Sequence, residues 1–293
     1  MPQVSTTKPS NRSVHIPKKI IVLGKILQSI STSLAAQYAA KIFITPFPYP
    51  TPKRELEMQQ KSRQKFVKLR AYHKTICVYE YGQSEKKILL VHGWSGRGTQ
   101  LFKIADALLK QGYMTVSFDA PAHGQSPGKT TMMPHFIAAC LELSEQYGGF
   151  HAAVGHSLGG MSLLNAAGKG LQVNKLVVIG TGDSITEISR EFIENLGLKD
   201  VIATKMKAYF DRNHKQDLDD LSASVAAKYV NIPVLVVHDK DDKDVHVHCA
   251  KQIDANLIHS ELLITEKLGH RQILGNKDVI EKIITFVNKK TEL

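Results

Sequence analysis

The chain has 293 residues, 43% of them apolar, with three cysteines and a formal net charge of +11. That length and apolar content suit one large α/β domain with additions, or two small ones, and exclude a chain unable to bury a core. The charge sits at one end: residues 1–74 hold fourteen Lys or Arg against Glu55 and Glu57, while residues 75–293 hold twenty-four against twenty-five acids. A basic leader on a neutral body points away from base-reading nucleic-acid chemistry. It suits attraction to an anionic surface or a solubilising face. Cys77, Cys140 and Cys249 lie far apart inside apolar segments, as reduced core thiols of a cytoplasmic protein do.

Residues 1–16 are polar and aperiodic, which predicts disorder. An amphipathic helix is predicted from about Ile20 to Phe43, with Leu23, Leu27, Ile30, Leu34, Tyr38 and Ile42 on one stripe. Lys25, Gln28, the Ser/Thr cluster at 29–33, Gln37 and Lys41 interrupt it too often for a membrane span. Lys25 also cuts short the apolar core a secretory signal needs, although Ala36 to Ala40 imitates a cleavage site. The stripe needs a partner, either the body of the protein or, alternatively, the inner surface of a membrane contacted peripherally. Pro46, Pro48, Pro50 and Pro52 then form a stiff extended connector. Together these segments make an N-terminal extension over residues 1–60.

Residues 61–293 read as the body. Phe66 to Tyr72 and Ile76 to Tyr81 alternate as an antiparallel hairpin does, and belong at a sheet edge. Ile88 to Val91, Met114 to Phe118, Ala152 to Val154, Leu176 to Ile179 and Val234 to Val237 are apolar without alternation, the pattern of parallel strands buried on both faces. Helical spacing over 99–111, 134–147 and 157–169 completes a strand–helix–strand rhythm. The fold class is α/β, a mostly parallel doubly wound sheet whose site lies at the carboxyl ends of the strands. Residues 181–229 break the rhythm and read as a helical cap. A last strand near Glu261 to Thr265 and a helix over about Lys277 to Asn288 close the chain.

Between the run ending at Val154 and the helix predicted from Ser157 stands Gly155-His156-Ser157-Leu158-Gly159. A serine attacks only if a turn aims its oxygen and a base takes its proton, and glycines two residues away on each side allow so tight a reversal. Other strand ends bring polar residues to the same rim. They are His92-Gly93-Trp94-Ser95-Gly96, the Asp119 to Ser126 loop, the acidic loop His238 to Asp244, and Leu268-Gly269-His270-Arg271.

With serine, acid and histidine in that order on four separate motifs, residues 65–293 resemble the α/β-hydrolase superfamily, in its capped serine esterase and lipase branch. The resemblance implies Ser157 as nucleophile, His270 as general base and Asp242 as the acid that orients it. Asp239, Asp241 and Asp244 compete for the last role; in relatives the acid stands a few residues beyond the strand end and just before a short apolar step, here Val245, which favours Asp242. It further implies an oxyanion hole made by the backbone amides of Trp94 and Leu158, with His92 supporting the first loop. The Trp94 ring lines the acyl pocket or simply packs, and Ile185 and Phe192 line the pocket or pack the cap. The implied activity is a carboxylesterase acting on a small-molecule ester through an acyl-enzyme. The alternatives are a thioesterase or lipase on the same triad, or a non-catalytic ligand-binding or membrane-surface protein on this scaffold.

No cofactor, metal or nucleic acid is implied, and the oligomeric state is open. Gly124 to Thr130 falls one residue short of a phosphate-binding loop. The loop from Asp239 has Asp244 and Ala250 where a calcium loop needs Gly and Glu. His246 and His248, two apart at a helix start, are expected to diverge.

Overall fold

The computed structural model describes residues 16–289, so the expected disorder before Ile16 lies outside the described residues. Eight strands form one sheet: β1 (Arg63–Lys68), β2 (Thr75–Tyr81), β3 (Lys87–Val91), β4 (Met114–Asp119), β5 (Ala152–His156), β6 (Leu176–Ile179), β7 (Val234–Asp239) and β8 (Ser260–Thr265). Their spatial order is β1-β2-β4-β3-β5-β6-β7-β8. β1 and β2 are antiparallel, β2 runs antiparallel to β4, and every pairing from β4 through β3 to β8 is parallel. The hairpin does occupy the edge, but its first strand ends at Lys68, short of Tyr72. The Leu69 N–H turns back to the Lys74 carbonyl at 2.7 Å and His73 takes φ 51°, closing the turn early.

The helices are α1 (Lys18–Ile30), α2 (Thr32–Phe43), α3 (Leu56–Lys61), α4 (Phe102–Lys110), α5 (Met133–Tyr147), α6 (Leu158–Gly168), α7 (Ile185–Asn195), α8 (Val201–His214), α9 (Ala223–Ala227), α10 (His248–Asn256), α11 (Gly269–Gln272) and α12 (Lys277–Asn288). The apolar strands are buried on both sides because successive side chains alternate faces. Ile88 and Leu90 of β3 join Val154, Val177 and Val237 against Ile104 and Leu108 of α4 and Ile283 and Phe286 of α12. Leu89 and Val91 face the other way, into a layer with Phe136 and Cys140 of α5 and Leu163 and Leu164 of α6. Cys77, Cys140 and Cys249 are buried and unbridged.

Two corrections concern the N-terminal segment. The single expected helix is two, because Ser31 takes an extended conformation (φ −160°) and its Oγ accepts the Leu34 N–H at 3.4 Å, capping α2. The expected apolar stripe is also not the buried one: α2 turns Ala35, Ala36, Ala39 and Ala40 into the core, while Leu23, Ile30 and Leu34 stand in solvent. Small side chains let α2 lie close along α8, where Ile202, Ala203 and Met206 share its cluster. At its end the Phe43 ring sits 5.1 Å from Phe192 and 5.9 Å from Phe210.

The proline connector is tied down as well. The buried Arg97 guanidinium donates to Thr51 Oγ1 and to the Tyr49 carbonyl, both at 2.6 Å, and lies 4.4 Å from the centre of the Tyr49 ring. Among the described residues no helix is long and apolar enough to cross a membrane.

Candidate active site

β5 ends at His156, and the chain reverses at Ser157 into α6. Ser157 has φ 53° and ψ −120°, a backbone region that non-glycine residues adopt at a cost of roughly 1–3 kcal/mol. Its neighbours hold it there: the Ser157 N–H donates to the Ile179 carbonyl at 2.9 Å, and its own carbonyl accepts from Gly160 N–H at 2.9 Å. The flanking glycines are sterically required. A Cβ on Gly155 would stand 2.7 Å from the Gly159 carbonyl, and one on Gly159 would stand 2.3 Å from the Val91 oxygen. Because both obstacles are backbone, Gly159→Ala is expected to destabilise the fold by about 3 kcal/mol or more, read as a lowered urea midpoint at unchanged slope.

The His92–Gly96 loop after β3 rides against this turn, so close that a Cβ on Gly93 would come within 3.0 Å of the Ser157 Cβ. Two buried histidines fix the loop. Ala120 N–H donates to His92 Nε2 at 3.0 Å while His92 Nδ1–H donates to the Gly93 carbonyl at 2.7 Å. Ser95 N–H donates to His123 Nε2 at 3.0 Å, and His123 Nδ1–H donates to the Pro121 carbonyl at 3.2 Å. Burial holds His92 well below the usual imidazole value and brings His123 down to about 4, so both stay neutral near pH 7 and can accept those amides. Asp119, buried at the end of β4, accepts from Gly98 N–H, Gln125 N–H and the Tyr79 hydroxyl, each at 2.7 Å. The loop after it bends at Gly124, φ 47°, where any Cβ would strike the Asp119 carboxylate at 2.2 Å.

Asp242 and His270 meet across the β7 and β8 loops. His270 Nδ1–H donates to Asp242 Oδ2 at 2.7 Å, and the other carboxylate oxygen accepts the amides of Asp244 and Val245 at 2.8 and 2.9 Å. Burial alone would raise the Asp242 carboxyl, but the His270 hydrogen bond and charge, with the two amides, overcome it and leave the group below its usual value. Gly180, at the end of β6 with φ 55°, makes room for the pair: a Cβ there would lie 3.2 Å from His270 Nδ1 and 3.6 Å from Asp242 Oδ2.

Two of the competing acids, Asp239 and Asp241, are used otherwise. Asp239 accepts from Thr265 Oγ1 at 2.7 Å and from the amides of Leu268, Gly269 and Asp241 at 3.0 to 3.1 Å, bracing the loop that carries His270. Asp241 accepts the Lys267 amide at 2.8 Å. His156, the residue before the serine and one to which sequence reasoning gave no role, donates from Nε2 to the His270 carbonyl at 2.9 Å, and their rings lie 4.6 Å apart. Burial brings His156 down to about 3. Its position between two glycines in a tight turn was the only signal available.

Ser157, Leu158, Trp94, Asp242 and His270 line one cleft of about 1990 Å³, as do Ile185 and Phe192 of α7. Sequence reasoning missed a further part of the lining: Ile16, Ile21, Phe43, Phe47 and Tyr49 of the N-terminal segment line the cleft too. His246 and His248 do not diverge as expected. His246 precedes α10 and is therefore free of helical geometry, and the two Nδ1 atoms lie 2.8 Å apart. His248 Nε2 is also 3.2 Å from Glu187 Oε2 and 3.7 Å from Cys249 Sγ.

Residues 86–213 match the family model described as alpha/beta hydrolase fold. Among solved structures, a candidate lipase of Acinetobacter baumannii is similar at 20% identity and TM-score 0.61, over 82% of this chain and 97% of that one. An esterase of Exiguobacterium antarcticum is similar at 17% identity and TM-score 0.60, over 78% and 100%. A bacterial membrane phospholipase A is similar at 16% identity and TM-score 0.60, over 93% and 98%. No curated protein matches the sequence.

Proposed function

The chain has the α/β-hydrolase fold, and from that premise we propose that it is a serine hydrolase cleaving carboxylic esters through an acyl-enzyme. The observation that carries the reading is the 2.7 Å hydrogen bond between His270 and a buried Asp242, in the same cleft as a serine on a strained turn.

In this reading Ser157 Oγ attacks the ester carbonyl carbon while His270 Nε2 takes its proton. Asp242 holds the imidazole in the tautomer with hydrogen on Nδ1 and stabilises the imidazolium that forms. Negative charge gathers on the former carbonyl oxygen, and the amides of Leu158 and Trp94 receive it; one such donor is worth about 3–4 kcal/mol of barrier. The intermediate collapses as His270 returns the proton to the departing alcohol. Water, deprotonated by the same imidazole, then attacks the acyl-enzyme and releases the acid, restoring the serine hydroxyl.

The role given to His156 is positioning: its bond to the His270 carbonyl sets the depth of that loop. Helices α7 to α9, within residues 181–229, serve as the cap, and Ile185, Phe192 and the Trp94 ring contact the acyl chain. A cleft of about 1990 Å³ exceeds the roughly 300–1,000 Å³ of ordinary small-molecule pockets, which favours long acyl groups over acetate.

A panel of p-nitrophenyl esters from acetate to laurate tests this. Turnover is expected across the panel, with kcat/KM rising by about tenfold or more from acetate to the medium chains, as each buried methylene contributes roughly 0.8 kcal/mol up to the length of the cleft. Absence of turnover on every member would remove the hydrolase reading.

A further inference from the structure

Helix α1 leaves an outward face that the protein does not cover. Val22 is 55%, Ile26 52% and Ile30 69% exposed, with Leu23 and Leu34 continuing the patch at 45% and 47%. At 100° per residue Val22, Ile26, Ile30 and Leu23 fall within about a quarter turn of the helix, and Lys18 and Lys25 border it on one side while Lys19 stands within it. No acid occurs between residues 16 and 54, a stretch with six Lys or Arg. Large exposed aliphatics beside cations, with no acid in the same segment, fit an anionic lipid surface: the side chains enter the acyl boundary while the lysines meet headgroup phosphates. The helix has 13 residues, too few to span a bilayer but enough to lie in its surface.

We propose that the outward face of α1 docks the protein on an anionic membrane, with the catalytic cleft opening beside the lipid phase. The second half follows from the other side of the same helix. Ile21, together with Ile16 and Lys18 at its start, lines the cleft, so a bilayer seated on α1 lies next to the cleft mouth. Esters partitioned in the membrane then reach Ser157 along the wall formed by Phe43 and Phe47. This assigns the substrate class as long-chain acyl esters delivered from lipid. That assignment rests on the proposed hydrolase reading; the docking itself does not.

The test is co-sedimentation with vesicles of phosphatidylcholine containing a third phosphatidylglycerol, against phosphatidylcholine alone. Full-length protein is expected to bind the anionic vesicles, to bind the neutral ones weakly, and to be released by high salt. Ile26→Asp with Ile30→Asp should lower the partition coefficient by at least tenfold, and Lys19→Glu with Lys25→Glu should do so independently. The charge pair keeps the test open should the aspartate pair fold poorly. Ser157→Ala should bind vesicles like the parent, so loss of catalysis and loss of docking are read separately. With activity intact, either α1 variant should lose turnover of a vesicle-borne ester while keeping that of soluble p-nitrophenyl butyrate. Full-length protein remaining in the supernatant, or α1 variants binding as the parent does, would overturn the proposal. So would a dimer in solution that both variants convert to monomer, since the face would then serve a second copy of the chain.

Discussion

Ser157→Ala is expected to lower kcat/KM for p-nitrophenyl esters by on the order of a million-fold, the loss seen when a true nucleophile is removed. The argument is geometric. The hydroxyl lies on a residue at φ 53° whose N–H and carbonyl are both engaged, so the turn survives the change and the folded population should too. Alanine bears the same positive φ without the hydroxyl, and the thermal midpoint should move little. A loss of activity accompanied by collapse of the midpoint would instead mean that the serine is structural. Residual activity within tenfold of the parent would mean that another group attacks.

Asp242→Asn carries the next largest effect, a fall in kcat of roughly ten-thousand-fold, because an amide in place of the carboxylate holds His270 in the wrong tautomer without altering the shape of the site. The comparison that gives this meaning is Asp239→Asn. Asp239 accepts four hydrogen bonds around the loop bearing His270, so its replacement should lower stability and disturb the site indirectly. Full-length kinetics beside urea midpoints separate the two. Asp242→Asn should move kcat with the midpoint nearly fixed, whereas Asp239→Asn should move both. Equal kinetic losses at equal stability would leave the acid unassigned.

The sheet was legible because its strands obey one simple constraint. A strand covered on both faces cannot afford alternation, so Ile88 to Val91 or Val234 to Val237 announce themselves. The order of serine, acid and histidine was legible for a related reason, since the serine and the acidic loop each follow such a run, while His270 follows the last strand, β8, whose half-exposed side chains alternate. What escaped depended on how surfaces meet. The N-terminal helix was read from its large apolar residues, yet α2 packs through alanines because close approach to α8 rewards small side chains. Val22, Leu23, Ile26 and Ile30 of α1, with Leu34 of α2, therefore remain outside. Arg97 gave no sign that it would fasten Tyr49 and Thr51 to the loop beside the serine, and with that fastening the leader becomes a wall of the cleft. His156 and Asp239 were likewise invisible as supports, because a hydrogen bond between loops distant in the chain leaves no periodicity to find.

The most direct measurement is the site of modification by a fluorophosphonate probe, read by mass spectrometry of the digested full-length protein. One phosphonyl group on Ser157, formed at a rate that falls in step with ester turnover when His270 is replaced by Ala, is the predicted result. An adduct on Ser95, which lines the same cleft, or on any other residue while Ser157 stays unmodified and ester turnover stops, would contradict it.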